Sequence, residues 1–306
     1  MLTIMLKKSK DSELATLTAP IAGSWIHAVN PTHKEIKSLM DLGIPLEFIR
    51  SSLDLSEQPR VDSEGRVKLL ILQVPEIFED DLETVTLGII ITDKYLVTVS
   101  KTRSKVLKTF MNNPKGFYTT KRTRFLLQLF WTTVKNYLSY LQNIDKLVDA
   151  VEDKLSHSLG NDEILEVLKV KKSLTFFKNA SYGNQRVLEK IMTRKFLKLY
   201  EQDEDLLEDI IIDNKQAIEM IGTYLDITSN TMDAYASIVN NNMNLVIRLL
   251  TIVSIAIAIP TLISGFYGMN VPLPFSNNPL TFFGLVGLGL LLCFVSIFAI
   301  LKMKIP

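Results

Sequence analysis

Two long apolar runs without charged residues stand near the C-terminal end of the chain. The first covers residues 249–266 and the second covers residues 280–301. A helix of about 20 residues crosses the hydrocarbon core of a bilayer, so each run is long enough to span a membrane. The pattern therefore predicts a membrane hairpin of two helices joined by a short loop.

The first 120 residues alternate short strand patterns with short helix patterns. Thr32 and Glu35 have the spacing of a capping box, which predicts a helix that begins there and ends at Gly43. A second short helix is predicted over 45–53. Strands rich in Val, Ile, Leu and Thr are predicted over 24–29, 66–74, 84–92 and 95–100, with turns at 62–65 and 92–94. These elements predict an α/β domain whose sheet is at least partly antiparallel.

From Lys121 onward the pattern is helical. A first helix is predicted over 121–158, a second to about Leu199, and a third from near Asp203 with no proline until Pro260. The third is about 85 Å long at 1.5 Å per residue, and a helix of that length needs neighbours to be stable. In the first helix, apolar residues recur at spacings of three and four: Leu126, Phe130, Val134, Tyr137, Leu141, Ile144 and Val148.

The positions of basic residues predict how the hairpin lies in the membrane. Arg248 precedes the first span, Lys302 and Lys304 follow the second, and 271–279 contains no lysine or arginine. By the positive-inside rule both termini are cytoplasmic and the loop is external. The predicted organisation is a cytoplasmic α/β domain at 1–120, a cytoplasmic helical hairpin at 121–200, a stalk helix at 201–248, transmembrane helices at 249–267 and 280–301, an external loop at 268–279 and a basic tail at 302–306.

Composition excludes several classes of function. A formal charge of +1 over 306 residues gives no general attraction to polyanions, so no nucleic-acid partner is predicted. The single cysteine, Cys293, lies in the second apolar run and cannot form a disulfide within the chain. No Gly-rich phosphate loop or nucleophile elbow is present, so neither an enzyme nor an organic cofactor is predicted.

The first apolar run carries a stripe of small or weakly polar residues. Residues three and four apart share one face of a helix. Two interpretations are open: close helix packing with hydroxyls bonded to backbone carbonyls one turn back, or the lining of a pore built from several copies of the chain. Starting from Asn244, the stripe contains Ile247, Thr251, Ser254, Ala258, Thr261, Gly265 and Gly268.

The sequence Tyr267-Gly268-Met269-Asn270 stands at the outer end of this stripe. In that position it resembles the signature of the CorA family of divalent cation channels, and the similarity in organisation extends over the whole chain. The resemblance implies a funnel-shaped homopentamer in which the first span of each copy lines the pore. It implies Mg²⁺ as the transported ion, with Co²⁺ and Ni²⁺ as further substrates.

The resemblance also implies the roles of particular residues. Gly268, Met269 and Asn270 form the selectivity filter, and a neutral amide ring suits Mg²⁺ because this ion keeps several of its waters. Alignment without gaps implies an inner pore asparagine at Asn244 and a hydrophobic constriction at Leu250, which closes by dewetting; simple helix packing is the alternative for Leu250. The other pore-lining residues are Thr251, Ser254, Ala258 and Thr261, and Ala258 is smaller than the family's residue at a second constriction.

An acidic block opens the predicted stalk helix, with seven acids and no base over 201–213. The resemblance implies a regulatory Mg²⁺ site between subunits with Asp209 as a ligand, and Asp205 and Asp213 lie one turn away on either side. Carboxylates at a spacing of four repel one another, and a divalent ion relieves that repulsion. The family's partner acid falls on Ser51, with Asp54 three residues later, so the chain departs from the pattern here. A solvated acidic helix without metal is the alternative.

The resemblance, together with the two apolar spans, therefore implies a homopentameric Mg²⁺ channel of the cell membrane, driven by the electrochemical gradient and gated by cytoplasmic Mg²⁺. Mg²⁺ is then both the substrate and the regulatory ligand, and the partners are further copies of the chain, membrane lipids and divalent cations. Two alternatives stay open: a zinc-preferring transporter of the same family, and a membrane-anchored sensor that conducts no ions.

Overall fold

The computed structural model describes residues 1–9, 13–78, 81–113, 115–155, 161–193, 196–271 and 280–302. The chain divides into two units, Met1–Met232 and Asp233–Pro306. The strands, all in the first unit, are β1 (Leu2–Leu6), β2 (Ala15–Leu17), β3 (Trp25–Val29), β4 (Arg60–Glu64), β5 (Val67–Phe78), β6 (Asp81–Ile91) and β7 (Leu96–Ser100). The helices are α1 (His33–Asp41), α2 (Leu46–Leu53), α3 (Lys105–Asn112), α4 (Arg122–Leu155), α5 (Asn161–Thr193), α6 (Glu201–Tyr267) and α7 (Leu280–Lys302).

The seven strands form one sheet in the order β2-β1-β3-β7-β6-β5-β4. Strands β3 and β7 are parallel, and the other neighbours are antiparallel. This confirms the predicted α/β fold with a partly antiparallel sheet. Strands β1, β2 and β4 and helix α3 were not predicted. The predicted turn at 62–65 is wrong in its first three residues, which belong to β4. The turn consists of Gly65, with φ +58°, and Arg66.

Helices cover both faces of this sheet. In β5, Leu70 and Leu72 face a core shared with α3, α4, α5 and α6, while Leu69 and Ile71 face a second core beneath α1 and α2. Successive side chains of a strand point to opposite faces, so the central part of β5, residues 69–72, is apolar at every position to fill both cores. This explains why that part of the strand is a continuous apolar run instead of an alternating one.

Local helix signals are reproduced, with one exception. Thr32 and Glu35 form the predicted capping box at α1, and all seven apolar residues of the predicted first helix are buried in α4. Helix α5 ends at Thr193, so the predicted end near Leu199 is wrong. The chain leaves the helix because Leu197 is buried in the core and the Lys68 ammonium on β5 donates to the Phe196 carbonyl oxygen.

Asn184 on α5 takes the place of a missing strand partner. The ladder between β4 and β5 ends at Ile71, which leaves the backbone of Gln73 unpaired on that side. The Oδ1 atom of Asn184 accepts from the Gln73 N–H at 3.0 Å, and its Nδ2 donates to the Gln73 carbonyl oxygen at 2.8 Å. The adjacent Gly183 lets α5 approach this closely, because a Cβ there would lie 2.5 Å from Cγ of Pro59.

His27 is buried in β3 beside Trp25 and Thr98. Its Nδ1 lies 3.0 Å from the Thr98 hydroxyl oxygen, which also accepts from the Trp25 indole N–H at 2.9 Å. Burial, with a smaller effect from the N-terminal ammonium, lowers the pKa of His27 from 6.5 to about 4. The folded domain therefore holds this ring in its neutral form across the physiological range.

Acidification is expected to destabilise the α/β domain through His27. In the unfolded chain the ring takes up a proton below about pH 6.5, whereas in the folded chain it does so only near pH 4. The contribution of the neutral ring to stability is thus complete above pH 6.5 and is lost as the pH falls through this window. We expect the unfolding free energy to fall by about 2 kcal/mol between pH 7 and pH 5.

Tryptophan fluorescence during denaturant unfolding of the full chain measures this pH dependence. The variant His27→Gln cannot titrate and should lose this part of the slope. His33→Gln is the matched control, since His33 is exposed at the start of α1. An identical pH slope in His27→Gln and in the unmodified protein would contradict the assignment.

Candidate functional site

Helix α7 covers one face of the apolar part of α6. The sulfhydryl of Cys293 donates to the carbonyl oxygen of Ala256 at 3.6 Å, and a Cβ on Gly289 would lie 3.2 Å from Ile263 Cδ1. Both helices are long and apolar enough to cross a membrane by length and composition, and the most apolar window of α6 contains no buried residue. The half-buried residues of α6 in this stretch are Arg248, Ile252, Ile255, Ala256, Ile259 and Ile263.

The stripe of small and polar residues lies on a different face of α6. At 3.6 residues per turn its centre is turned by about 130° from the face that α7 covers. Nothing else in the described part of Asp233–Pro306 covers this face. The predicted pore-lining residues are therefore all exposed in a single chain: Asn244, Leu250, Thr251, Ser254, Ala258 and Thr261.

The threonine hydroxyls of the stripe are bonded within the helix. Thr251 Oγ1 donates to the Ile247 carbonyl oxygen at 2.8 Å, and Thr261 Oγ1 donates to the Ile257 carbonyl oxygen at 2.7 Å. This is the bonding that the packing interpretation expects. Each hydroxyl oxygen nevertheless keeps its acceptor capacity, so the same geometry offers acceptors to water along the uncovered face.

The signature residues follow the end of α6 at Tyr267. The Gly268 N–H donates to the Ser264 carbonyl oxygen at 2.9 Å and the Met269 N–H donates to the Phe266 carbonyl oxygen at 3.3 Å, so the chain makes one more turn after the helix. A Cβ on Gly268 would lie 3.1 Å from the Ser264 oxygen, which favours glycine at this position. Asn270 is exposed. The predicted loop continues through 272–279, outside the described residues.

The predicted regulatory acids differ in their surroundings. Asp205 and Asp209 are exposed on α6, whereas Asp213 lies with its Oδ2 2.8 Å from the Lys135 ammonium of α4. Asp54 Oδ1 accepts from the Ser56 hydroxyl at 2.7 Å and from the Ser56 N–H at 2.9 Å, and these bonds hold the pKa of Asp54 below its ordinary value. Among the described residues, no group of three or more acidic, histidine or cysteine side chains is placed to hold a metal ion.

A basic residue stands beside the position where the resemblance implies a partner acid. The Arg60 guanidinium donates to the Ser51 hydroxyl at 3.2 Å, and it also pairs with Glu57 at 3.0 Å and with Asp62 at 2.6 Å. A neutral hydroxyl bonded to a cation is a poor counterpart for Mg²⁺, which prefers carboxylate oxygens. The departure at Ser51 therefore extends to its hydrogen-bond partner.

Two contacts important to this region were missed by the sequence reasoning. Arg248 lies on the face of α6 toward α7 and donates to the carbonyl oxygen of Ile300. The pair of Lys135 and Asp213 joins α4 to α6 across 78 positions of sequence. No spacing pattern links such distant residues, so only the packing of the helices could identify them.

Comparison with known proteins places the chain among metal-ion transporters. Residues 22–302 match the family model described as CorA-like Mg²⁺ transporter protein. The cobalt/magnesium transport protein CorA of Methanocaldococcus jannaschii is 29% identical over 286 residues, with 90% of this chain and 88% of that protein covered. The protein of the same name from Thermotoga maritima is 22% identical, with 74% of this chain and 67% of that protein covered.

The solved structures give the same result for the fold. The complete structure of the CorA magnesium transporter from Methanocaldococcus jannaschii has a TM-score of 0.85 at 25% identity. The match covers 99% of this chain and 98% of that one, so the sheet domain and the C-terminal helices are both included.

Proposed function

Because the chain belongs to the family of CorA-like Mg²⁺ transporter proteins, we propose that it carries Mg²⁺ across the cell membrane through a pore. In this proposal five copies assemble around the pore. The apolar part of α6 lines the pore, and α7 lies outside it. Both chain termini are cytoplasmic, and Asn270 forms a ring at the external mouth. Co²⁺ and Ni²⁺ are further candidate substrates.

The observation that carries the proposal is the uncovered stripe on α6. A membrane anchor needs no row of small and polar residues on a face that its own second helix leaves free. A pore requires such a face, and it requires several copies because two helices cannot enclose a channel. Asn270 immediately follows this face and offers a neutral amide oxygen to a hydrated ion.

No energy source other than the membrane potential is required. A divalent ion that moves inward across 100 mV gains about 4.6 kcal/mol, twice the value for a single charge. The external loop residues 271–279 contain no acid that could concentrate cations. Capture from dilute solution therefore depends on the Asn270 ring and on the potential.

Ion uptake into proteoliposomes tests the transport function directly. The full-length protein is reconstituted, an inside-negative potential is imposed, and uptake of Mg²⁺, Co²⁺ and Zn²⁺ is measured in parallel against protein-free liposomes. Uptake of Mg²⁺ that increases with the potential is expected. Uptake of Zn²⁺ without Mg²⁺ would identify the zinc-preferring alternative, and no uptake of any ion would identify the non-conducting sensor.

Cytoplasmic Mg²⁺ is proposed to inhibit flux by binding at the acidic segment of α6. Asp209 and Asp205 are exposed one turn apart and are free of salt bridges in the described part of the chain. Asp213 is less available because it pairs with Lys135. Asp209 is therefore the ligand that we expect to contribute most.

The variant Asp209→Ala is expected to need a severalfold higher internal Mg²⁺ concentration for half-inhibition of uptake. Removal of one carboxylate lowers the affinity of a site built from few charged ligands. Asp226→Ala is the matched control, since Asp226 is exposed on the same helix outside the acidic segment. If Asp209→Ala keeps the inhibition curve of the unmodified protein, the regulatory site lies elsewhere.

A further inference from the structure

The segment that contains the two apolar helices carries positive charge with no acid of its own. From residue 234 to residue 306 the chain has three basic residues, Arg248, Lys302 and Lys304, and no aspartate or glutamate. Arg248 stands at the start of the apolar part of α6 and Lys302 at the end of α7, so these two flank the same end of the helix pair. No acidic side chain in the segment balances their charge.

Arg248 is held in position by the end of α7. Its guanidinium donates to the carbonyl oxygen of Ile300, two residues before the last described residue of α7. The Nε atom is buried and has no hydrogen-bond partner among the described residues, while the residue as a whole is half-buried. The guanidinium is thus fixed between the helices with part of its surface exposed.

Arg248 and the stripe lie on different faces of α6. Arg248 lies on the side of α6 that α7 covers, whereas the stripe lies on another face. Lys302 is exposed two residues beyond Ile300 in α7. In the proposed assembly, where α7 is the outer helix, these two cations face the lipid and not the pore.

Two such cations at the depth of the lipid headgroups are suited to bind a phosphate. Guanidinium binds phosphate with paired, charge-assisted hydrogen bonds. The ends of spanning helices lie where the headgroups of a bilayer lie, and basic sites between such helices on the cytoplasmic side bind anionic headgroups. We propose that Arg248 and Lys302 bind the headgroup phosphate of an anionic phospholipid of the inner leaflet. This inference goes beyond ion transport and depends on the proposed function only for the membrane location and topology.

Lipid retention by the full-length protein tests this site. The protein is reconstituted in nanodiscs with equal amounts of phosphatidylglycerol and phosphatidylcholine, and the lipids that remain bound are identified by native mass spectrometry. Each basic residue near a membrane surface contributes about a fivefold preference for anionic lipid. We expect phosphatidylglycerol to be retained at least about fivefold over phosphatidylcholine, and the double variant Arg248→Gln/Lys302→Gln to show no preference.

Three controls decide how the result is interpreted. Arg66→Gln removes an exposed arginine of the sheet domain, whose side chain is 87% exposed, and should keep the preference. Because Arg248→Gln also loses the bond to Ile300 and can impair folding, Arg248→Lys and Lys302→Gln are measured separately. Arg248→Lys should retain the preference, and Lys302→Gln should reduce it about fivefold.

Several outcomes would overturn the proposal. These are no preference in the unmodified protein, a preference that survives in the folded double variant or is undiminished in Lys302→Gln, and an equal loss in Arg66→Gln. Displacement of phosphatidylglycerol by millimolar inorganic phosphate would identify free phosphate as the ligand instead. Retention is measured without an ion gradient, so a failure of Mg²⁺ uptake would leave the lipid result unaffected.

Discussion

Alanine at position 270 is expected to reduce Mg²⁺ uptake into proteoliposomes by about tenfold to a hundredfold. The amide of Asn270 is exposed one turn beyond the end of α6, where it can accept hydrogen bonds from the water shell of an incoming ion. In the proposed pentamer the substitution removes all five acceptors at once, but water can replace most of them because the position is exposed. The expected reduction corresponds to the net loss of about one hydrogen bond to a charged group, about 1.5–3 kcal/mol.

The controls for Asn270→Ala separate ion selection from assembly. Asn230→Ala makes the same substitution at an exposed position of α6 before the apolar part, and its uptake should stay within about twofold of the unmodified protein. Oligomer size is compared by chromatography in detergent. If Asn270→Ala also retains uptake within twofold, Asn270 does not form the filter, although the chain can still be a transporter.

Alanine at position 184 is expected to lower the unfolding free energy by about 3 kcal/mol, because two hydrogen bonds are lost and a buried donor is left without a partner. Asn184 is 1% exposed, so water cannot replace its amide. The carbonyl oxygen of Gln73 retains the hydroxyl of Tyr137 at 3.1 Å. The N–H of Gln73 loses its acceptor, and this unpaired group accounts for much of the expected effect.

Asn179→Ala is the matched control for this prediction. Asn179 lies on the same helix and is exposed, so its replacement should change the unfolding free energy by less than about 0.5 kcal/mol. Denaturant unfolding of the full chain, followed by circular dichroism, measures both variants under identical conditions. Equal and small effects would show that Asn184 is not needed to pair the backbone of β5.

Much of the fold could be predicted because its signals are local. The capping box of Thr32 and Glu35 involves residues three positions apart, and the buried face of α4 repeats at helical spacing. Strands β5, β6 and β7 are apolar over most of their length. By contrast β4, with the sequence Arg-Val-Asp-Ser-Glu, is a polar edge strand. It is recognisable as a strand only from its pairing with β5.

The candidate site also has features that the sequence could predict and contacts that it could not. The stripe and the signature at Gly268–Asn270 could be identified from helical spacing and from resemblance. Their roles in selection and conduction stay predictions, as does the regulatory role of Asp205, Asp209, Asp213 and Asp54. The pairing of Asp213 with Lys135 could not be predicted, because ion pairs between distant residues depend on how α4 and α6 pack and leave no trace in spacing.

The sequence by itself determined that this protein has an α/β domain, a long helix and two apolar spans, because burial in a sheet or in lipid imposes a pattern on every residue of an element. The tertiary structure decided which faces of those elements contact other parts of the chain. It placed Asn184 against β5, ended α5 at Thr193 and put Arg248 on the α7 side of α6. It also left the stripe uncovered. These outcomes depend on contacts between residues far apart in the chain, where position in space and not periodicity determines which side chains meet.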